Sequence, residues 1–158
     1  MCDTEVMRNL FMVALSAVAL WGQDVVFSGQ PTAEQLAAYA KDGVKVVVNL
    51  RTDDEMSKLG MDEKAIVEKA GMRYVSVPFL GTAPPKDEEL VGLMKLLAGA
   101  KPEGRVVLHC ASSNRVGYIW GLFQAKEKGV GVEKAVEEAK KAGMTSPALE
   151  QALRDRLK

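Results

Sequence analysis

Residues 105–115 read RVVLHCASSNR, and the fold turns on this stretch. Arg105 to Leu108 is a short, largely β-branched run, the pattern of a strand buried on both faces. His109 to Asn114 follow as a loop of mostly small residues. Arg115 to Lys128 then carries Ile119, Trp120, Leu122 and Phe123 at helical spacing. A strand that enters a helix through a short loop belongs to a mainly parallel α/β sheet, where ligands sit beyond the carboxyl ends of the strands. The loop from His109 to Asn114 is therefore where a site belongs.

Its residue types suit an oxyanion. Unpaired backbone N–H groups at a helix N-terminus favour negative charge in the loop that precedes them. The same field favours a thiolate at Cys110 over a thiol. Arg115 offers a planar fork to two oxygens of one ligand. Ala111, Ser112, Ser113 and Asn114 are small enough for the backbone to wrap closely, and together with Arg115 they form the candidate anion-binding segment. His109, the only histidine, reads as a residue that orients the loop.

Outward from the loop, strands and helices alternate. Asp24 to Ser28 is a short strand ended by Gly29-Gln30-Pro31. Thr32 and Gln35 form a capping box that opens a helix over Ala33–Lys41, stopped at Gly43. Val44 to Leu50 (VKVVVNL) is a second buried strand, followed by the charged stretch Arg51-Thr52-Asp53-Asp54-Glu55. Asp62 to Ala70 reads as a helix, Arg73 to Pro78 as a strand and Gly81 to Pro85 as a loop. Asp87 to Ala98 is an amphipathic helix with Leu90, Leu93, Met94 and Leu97 on one face. Further helices fit Val132–Ala142 and Ser146–Leu157. The expectation is a single three-layer α/β domain over residues 24–158.

Composition narrows the partners. The chain has 158 residues, ample for one hydrophobic core, and 21 basic residues balance 21 acidic ones. That balance argues against nucleic acid as a partner. Two cysteines, Cys2 and Cys110, and one histidine supply neither a disulfide framework nor a tetrahedral metal site, so no metal or other cofactor is expected. Residues 1–23 carry two readings. Leu10 to Trp21 is apolar over 12 residues, too short for a stable membrane span. The run from Met7 resembles a signal segment with a small-x-small site at Ala17–Ala19, whereas Asp3 and Glu5 at the start favour a packed N-terminal helix. The second reading places the protein in the cytoplasm rather than the periplasm.

LHCASSNRVG resembles the signature loop of protein tyrosine and dual-specificity phosphatases. GVKVVVNL, RYVSVP and the segment YIWGLFQAKEKGVGVEKAVEEAKKAG are similar to the strands and helix pair of that fold, so the resemblance covers most of the chain. FSGQPTAEQL together with HCASSNRVG resembles more closely a bacterial branch, the beta-lactamase-hydrolase-like proteins, some of which are assigned as sulfur transferases. The resemblance implies in-line attack by Cys110 on phosphorus, with Arg115 and the loop amides on the equatorial oxygens, then hydrolysis of a cysteinyl-phosphate.

Three departures from the phosphatase pattern bear on the reaction. Four residues separate Cys110 from Arg115 where phosphatases have five, a spacing typical of rhodaneses. Val116 stands where a Ser or Thr usually assists the second step. The segment Phe79 to Pro85 contains no acid where an aspartate general acid is expected. Asp87, downstream, and Asp53, after another strand, are the nearest candidates for that catalytic role. The branch also expects glycine at Ser113, a residue that would strain the loop if the position takes a positive φ.

Plainer readings stand beside these. A cysteine alone is commonly a small buried hydrophobe, Arg115 could pair with a surface acid, and Asp53, Asp54 and Glu55 fit a solvated turn or helix start. Asp87 suits a helix N-terminus through the dipole. Three functional expectations result for a monomeric protein. The first is a thiol-dependent phosphatase acting on a phosphorylated small molecule or protein. The second is a sulfurtransferase passing sulfur from a donor to an acceptor thiol through a Cys110 persulfide. The third is a catalytically weak oxyanion- or phosphoprotein-binding module.

Overall fold

The structure, a computed structural model, describes residues 24–100 and 104–158. The two readings of the segment before residue 24 lie outside the described residues. In chain order the elements are β1 (Val25–Ser28), α1 (Ala33–Lys41), β2 (Val44–Asn49), α2 (Asp53–Ser57), α3 (Glu63–Lys69), β3 (Arg73–Ser76), α4 (Asp87–Ala98), β4 (Arg105–His109), α5 (Asn114–Lys128), α6 (Val132–Lys141) and α7 (Pro147–Arg156). Element types agree with the sequence reading throughout, and boundaries differ by one or two residues. The charged stretch after β2, read as a solvated turn or helix start, forms α2, a helix of 5 residues opened by a capping box between Thr52 and Glu55.

The four strands form one parallel sheet in the order β1-β4-β2-β3. The central strands β2 and β4 are largely buried because helices cover both faces, whereas the edge strands β1 and β3 are mostly half-buried or exposed. On one side lie α4, α5, α6 and α7, packed on Val46, Val48, Leu50, Val106 and Leu108. On the other, α1 and α3 cover Val44, Val47 and Val107 with Leu36, Val67 and Met72. Val44 and Val46 would share a face under strict alternation. A register shift between them sends Val44 to the α1/α3 layer instead. The molecule is thus the expected three-layer α/β domain.

Helix α5 runs through the middle of the larger layer. Arg115, Val116, Gly117, Tyr118, Ile119, Gly121, Leu122 and Phe123 are all buried, the signature of a helix surrounded on every side. Glycines at 117 and 121 let α6 and α7 approach. A Cβ on Gly117 would sit 2.6 Å from the Met144 Cβ, and one on Gly121 2.6 Å from Leu153 Cδ2. The aromatic residues close the end of this layer, with Trp120 5.1 Å from Phe123 and 4.9 Å from Phe27 between ring centroids.

The register places the site. Ser28 pairs with His109, His109 with Asn49, and Asn49 with Ser76. All four strands therefore end level, and the segments that leave them emerge together at the carboxyl edge of the sheet. These segments hold Gln30, Arg51, Phe79 and Cys110.

Candidate active site

Cys110 is the first residue beyond β4 and is 1 % exposed. Its N–H donates to Ser28 O at 3.4 Å, and the neighbouring Ala111 O accepts from Gln30 N–H at 3.2 Å. The loop is thereby stitched to the end of β1. Gly29 permits this: a Cβ there would lie 3.0 Å from Ala111 O. Among the described residues, the backbone N–H groups of Ala111, Ser112, Ser113, Asn114 and Arg115 make no protein hydrogen bond. They are the orphan donors that the start of α5 leaves over.

Ser113 caps α5 with φ 64°, the only non-glycine residue with positive φ among the described residues. The position at which a glycine was expected is thus one where the backbone asks for it. Room for the serine comes from Gly143, whose ideal Cβ would fall 2.5 Å from Ser113 Cβ. Asn114 faces away from an anion-binding role for its side chain. Its Oδ1 accepts from the N–H groups of Thr145 and Ser146 at 2.8 and 2.7 Å, tying the turn between α6 and α7 to the loop. Ser112 Oγ accepts from Asn114 Nδ2 at 3.3 Å.

Arg115 sits in the first turn of α5 and is 8 % exposed. Nη1 and Nη2 donate to the two oxygens of Glu55, each at 2.7 Å, and Nη1 also donates to Phe79 O at 2.8 Å. This guanidinium is held above its usual pKa, first by the hydrogen bond to Glu55, against the cost of burial, with a smaller contribution from the Cys110 sulfur. Glu55 is pulled from the ordinary 4.5 to about 2, chiefly by the same hydrogen bond. The reading of Glu55 as part of a solvated turn or helix start accounts for its place in α2 and misses its partner. Its capping box with Thr52 is a local signal for α2 and says nothing of Arg115, 60 residues on.

His109 is fully buried. Its Nε2 lies 2.6 Å from Glu63 Oε1 and its Nδ1 3.4 Å from Cys110 O. Gln30 donates to Glu63 Oε2 at 2.6 Å and accepts from Arg51 Nη1 at 2.8 Å. Gln30 belongs to the Gly29-Gln30-Pro31 turn, which in the branch the sequence resembles lies near the site; Glu63 and Arg51 were not singled out by sequence reasoning.

A cleft of about 410 Å³ opens over the loop, lined by Glu55, Leu80, Gly81, Thr82, Ser112, Asn114, Arg115, Ser146, Ala148 and Leu149. A larger hollow of about 580 Å³ lies on the other side of α2, lined by Asp53, Met56, Tyr74 and their neighbours. Arg115 and two residues of the loop that follows Cys110, Ser112 and Asn114, line the smaller cleft, so we take that one as the site. Asp53 belongs to the lining of the larger hollow. Asp87 lines a third recess beside α4, where Lys126 and Arg156 hold its carboxyl below the usual range, Lys126 more than Arg156. Neither aspartate is brought to the cleft with Cys110. Val116 is buried in the core.

The strand–loop–helix step, the cysteine at the carboxyl edge of a parallel sheet and the arginine opening the central helix define a cysteine phosphatase-like domain of the dual-specificity type. Residues 18–127 match the phosphatase-like domain of beta-lactamase hydrolase-like proteins, and the chain belongs to that family. It is 31% identical over 102 residues to the Beta-lactamase hydrolase-like protein of Xylella fastidiosa (strain Temecula1), covering 63% of this chain and 23% of that protein. It is 29% identical over 117 residues to the Dual specificity protein phosphatase TpbA of Pseudomonas aeruginosa (strain UCBPP-PA14), covering 73% of this chain and 50% of that one. The chain thus spans half or less of the length of these relatives. The crystal structure of P. aeruginosa TpbA superimposes with a TM-score of 0.66 at 24% identity, covering 83% of this chain and 79% of that one. A Cys-to-Ser variant of TpbA in complex with phosphotyrosine superimposes at 0.61 with 23% identity, covering 84% and 76%. No helix among the described residues is long and apolar enough to cross a membrane.

Proposed function

We propose that this domain hydrolyses phosphomonoesters through Cys110, with Arg115 and the free loop amides holding the transferred phosphoryl group. The observation that carries this reading is that Arg115, anchored by Glu55 and Phe79 O, lines the cleft at the start of α5, with Cys110 at the other end of the same short loop. Cys110 Sγ attacks phosphorus in line and the ester oxygen departs with its electron pair. The orphan N–H groups at the start of α5 and the guanidinium meet the charge on the equatorial oxygens. Water then attacks the cysteinyl-phosphate, releasing phosphate and restoring the thiolate. The family match supports phosphatase-like chemistry, and TpbA binds phosphotyrosine, so an aryl phosphate is the first substrate to try.

A second reading has its own support. The Cys110–Arg115 loop has the shorter, rhodanese-like length, and the carboxylate that lines the cleft, Glu55, is held at about 2. Sulfur transfer needs no proton donor. The thiolate takes a sulfane sulfur from a donor such as thiosulfate, sulfite leaves, and cyanide or a thiol removes the outer sulfur. The deciding experiment assays the protein and Cys110→Ser against an aryl phosphate, and against thiosulfate with cyanide. Phosphate release that depends on Cys110 upholds the first reading, and thiocyanate alone moves the assignment to the second. Turnover that survives Cys110→Ser overturns both, and silence in both assays favours an anion-binding module.

A further inference from the structure

The Glu63 carboxylate is 2 % exposed and belongs to no step of the chemistry above. Burying a charge is costly unless each oxygen is bonded, and both are. Oε1 meets His109 Nε2 at 2.6 Å, and Oε2 accepts from Gln30 Nε2 at 2.6 Å. Further contacts extend in both directions. His109 Nδ1 lies 3.4 Å from the carbonyl of Cys110, and Gln30 Oε1 accepts from Arg51 Nη1 at 2.8 Å. Arg51 Nε makes no hydrogen bond but stands 3.6 Å from Glu55 Oε1 as an ion pair, and Glu55 takes the two bonds from Arg115.

We propose that Glu63 is a positioning residue for Cys110, one that sets the His109 ring beneath the nucleophile and joins it through Gln30, Arg51 and Glu55 to Arg115. The polarity of the chain follows from chemistry. A guanidinium only donates, so Arg51 requires the oxygen of Gln30, and the amide nitrogen must then face Glu63. A carboxylate only accepts, so Glu63 requires the hydrogen on His109 Nε2. From Arg51 to His109 Nε2 each group has one allowed sense, which Glu63 fixes by accepting as a carboxylate on both oxygens.

This gives a test with a built-in rescue. Glu63→Gln puts an amide nitrogen opposite the amide nitrogen of Gln30. If Gln30 turns over to relieve that, its nitrogen meets the guanidinium of Arg51. With the His109 hydrogen on Nε2, one buried donor is left facing another in either arrangement. The escape is for the new amide to turn and the hydrogen to move to Nδ1, which changes what the ring presents to the Cys110 carbonyl. Adding Gln30→Glu restores all of it: the new carboxylate accepts from Arg51 and from the amide at 63, whose oxygen still accepts from His109. The net charge is also unchanged.

The inference rests on the reading of Cys110 and Arg115 as the reactive pair, so it is read without turnover. In a Cys2→Ser background, Cys110 is alkylated with iodoacetate, an anion that needs the cradle, and with neutral iodoacetamide. Thermal unfolding is followed in parallel. Glu63→Gln should slow iodoacetate about tenfold or more, and the exchange Glu63→Gln/Gln30→Glu should recover most of that loss. Unchanged alkylation in a folded Glu63→Gln overturns the proposal, as does an exchange variant that regains thermal stability but not reactivity. If the parent protein alkylates readily yet releases no phosphate, the phosphatase reading fails and the positioning role stands. A parent that does not alkylate at all overturns both.

Discussion

Arg115 and Glu55, 60 residues apart in the chain, are joined by two parallel hydrogen bonds of 2.7 Å each. A guanidinium fixed in this way presents its remaining donors in one orientation, which is the geometric advantage of the paired contact. Glu55→Gln keeps a side chain of the same size and replaces one acceptor with a donor that faces a cation. Hydrogen bonds to charged groups contribute about 1.5–3 kcal/mol, so kcat/KM for an aryl phosphate should fall about 10- to 100-fold. Steady-state kinetics decide this, and a variant within twofold of the parent would show that Arg115 does not need its anchor.

The same pair makes stability depend on pH. Glu55 is lowered from 4.5 to about 2 in the folded protein, mainly by its hydrogen bond to Arg115. A depressed carboxylate contributes stability that is fully present above its unfolded value and is lost as pH falls through the folded one. Urea midpoints of the parent should therefore drop between pH 4.5 and 2. Glu55→Gln should start lower at pH 7 and lose less over that interval. Other carboxylates titrate in both proteins, so the difference between the two curves isolates Glu55. Parallel curves would remove the pair from the account.

Ser113 and Gly143 form a second coupled pair. Ser113 sits at φ 64° and Gly143 at φ 110°, with the ideal Cβ of the glycine only 2.5 Å from the serine Cβ. Ser113→Gly removes a left-handed side chain at a cost of about 1 kcal/mol, partly offset by the extra freedom of glycine in the unfolded chain. A gain of about 0.5 kcal/mol is expected. Gly143→Ala should destabilise by about 2 kcal/mol or more, from backbone strain and overlap together. The two changes should not add, because Ser113→Gly deletes the atom that the new methyl strikes. Strict additivity in denaturant melts would mean that the turn after α6 does not press on the loop.

Much of this molecule can be read along the chain, and the limit has a physical cause. Val44–Leu50 and Arg105–Leu108 are legible as strands because burial on both faces demands unbroken apolar residues. The capping box at Thr32 and the glycines at 43, 71 and 129 mark helix ends through local rules that need no partner. Helix α2 is legible only as a turn or a helix start, because 5 residues, three of them acidic at its start, carry no periodicity. Within the site, Cys110 and Arg115 are legible because both lie in one short stretch, from the end of β4 to the first turn of α5. Glu55 and Glu63 are not, since their partners stand 60 and 46 residues away and only the level ends of the strands bring them together. Asp87 reads correctly as a helix start, but its ion pairs with Arg156 and Lys126 come from α7 and α5, and no local signal announces them.

Those placements lead to a prediction about the leaving group. Glu55, the carboxylate lining the cleft, stays ionised at about 2, and Asp87 is held in its own ion pairs beside α4. A departing oxygen therefore leaves without a proton from either. General acids contribute about 10²–10⁴-fold, most where the leaving group is poorest. Across substituted aryl phosphates, kcat/KM should fall steeply as the leaving phenol becomes more basic, and alkyl phosphates should be turned over far more slowly than aryl ones. Asp87→Asn and Asp53→Asn should leave the slope of that series unchanged. A shallow dependence on the leaving group would require a proton donor at the cleft, and a slope that steepens in Asp87→Asn would identify it as Asp87, carried to the site by a movement of α4.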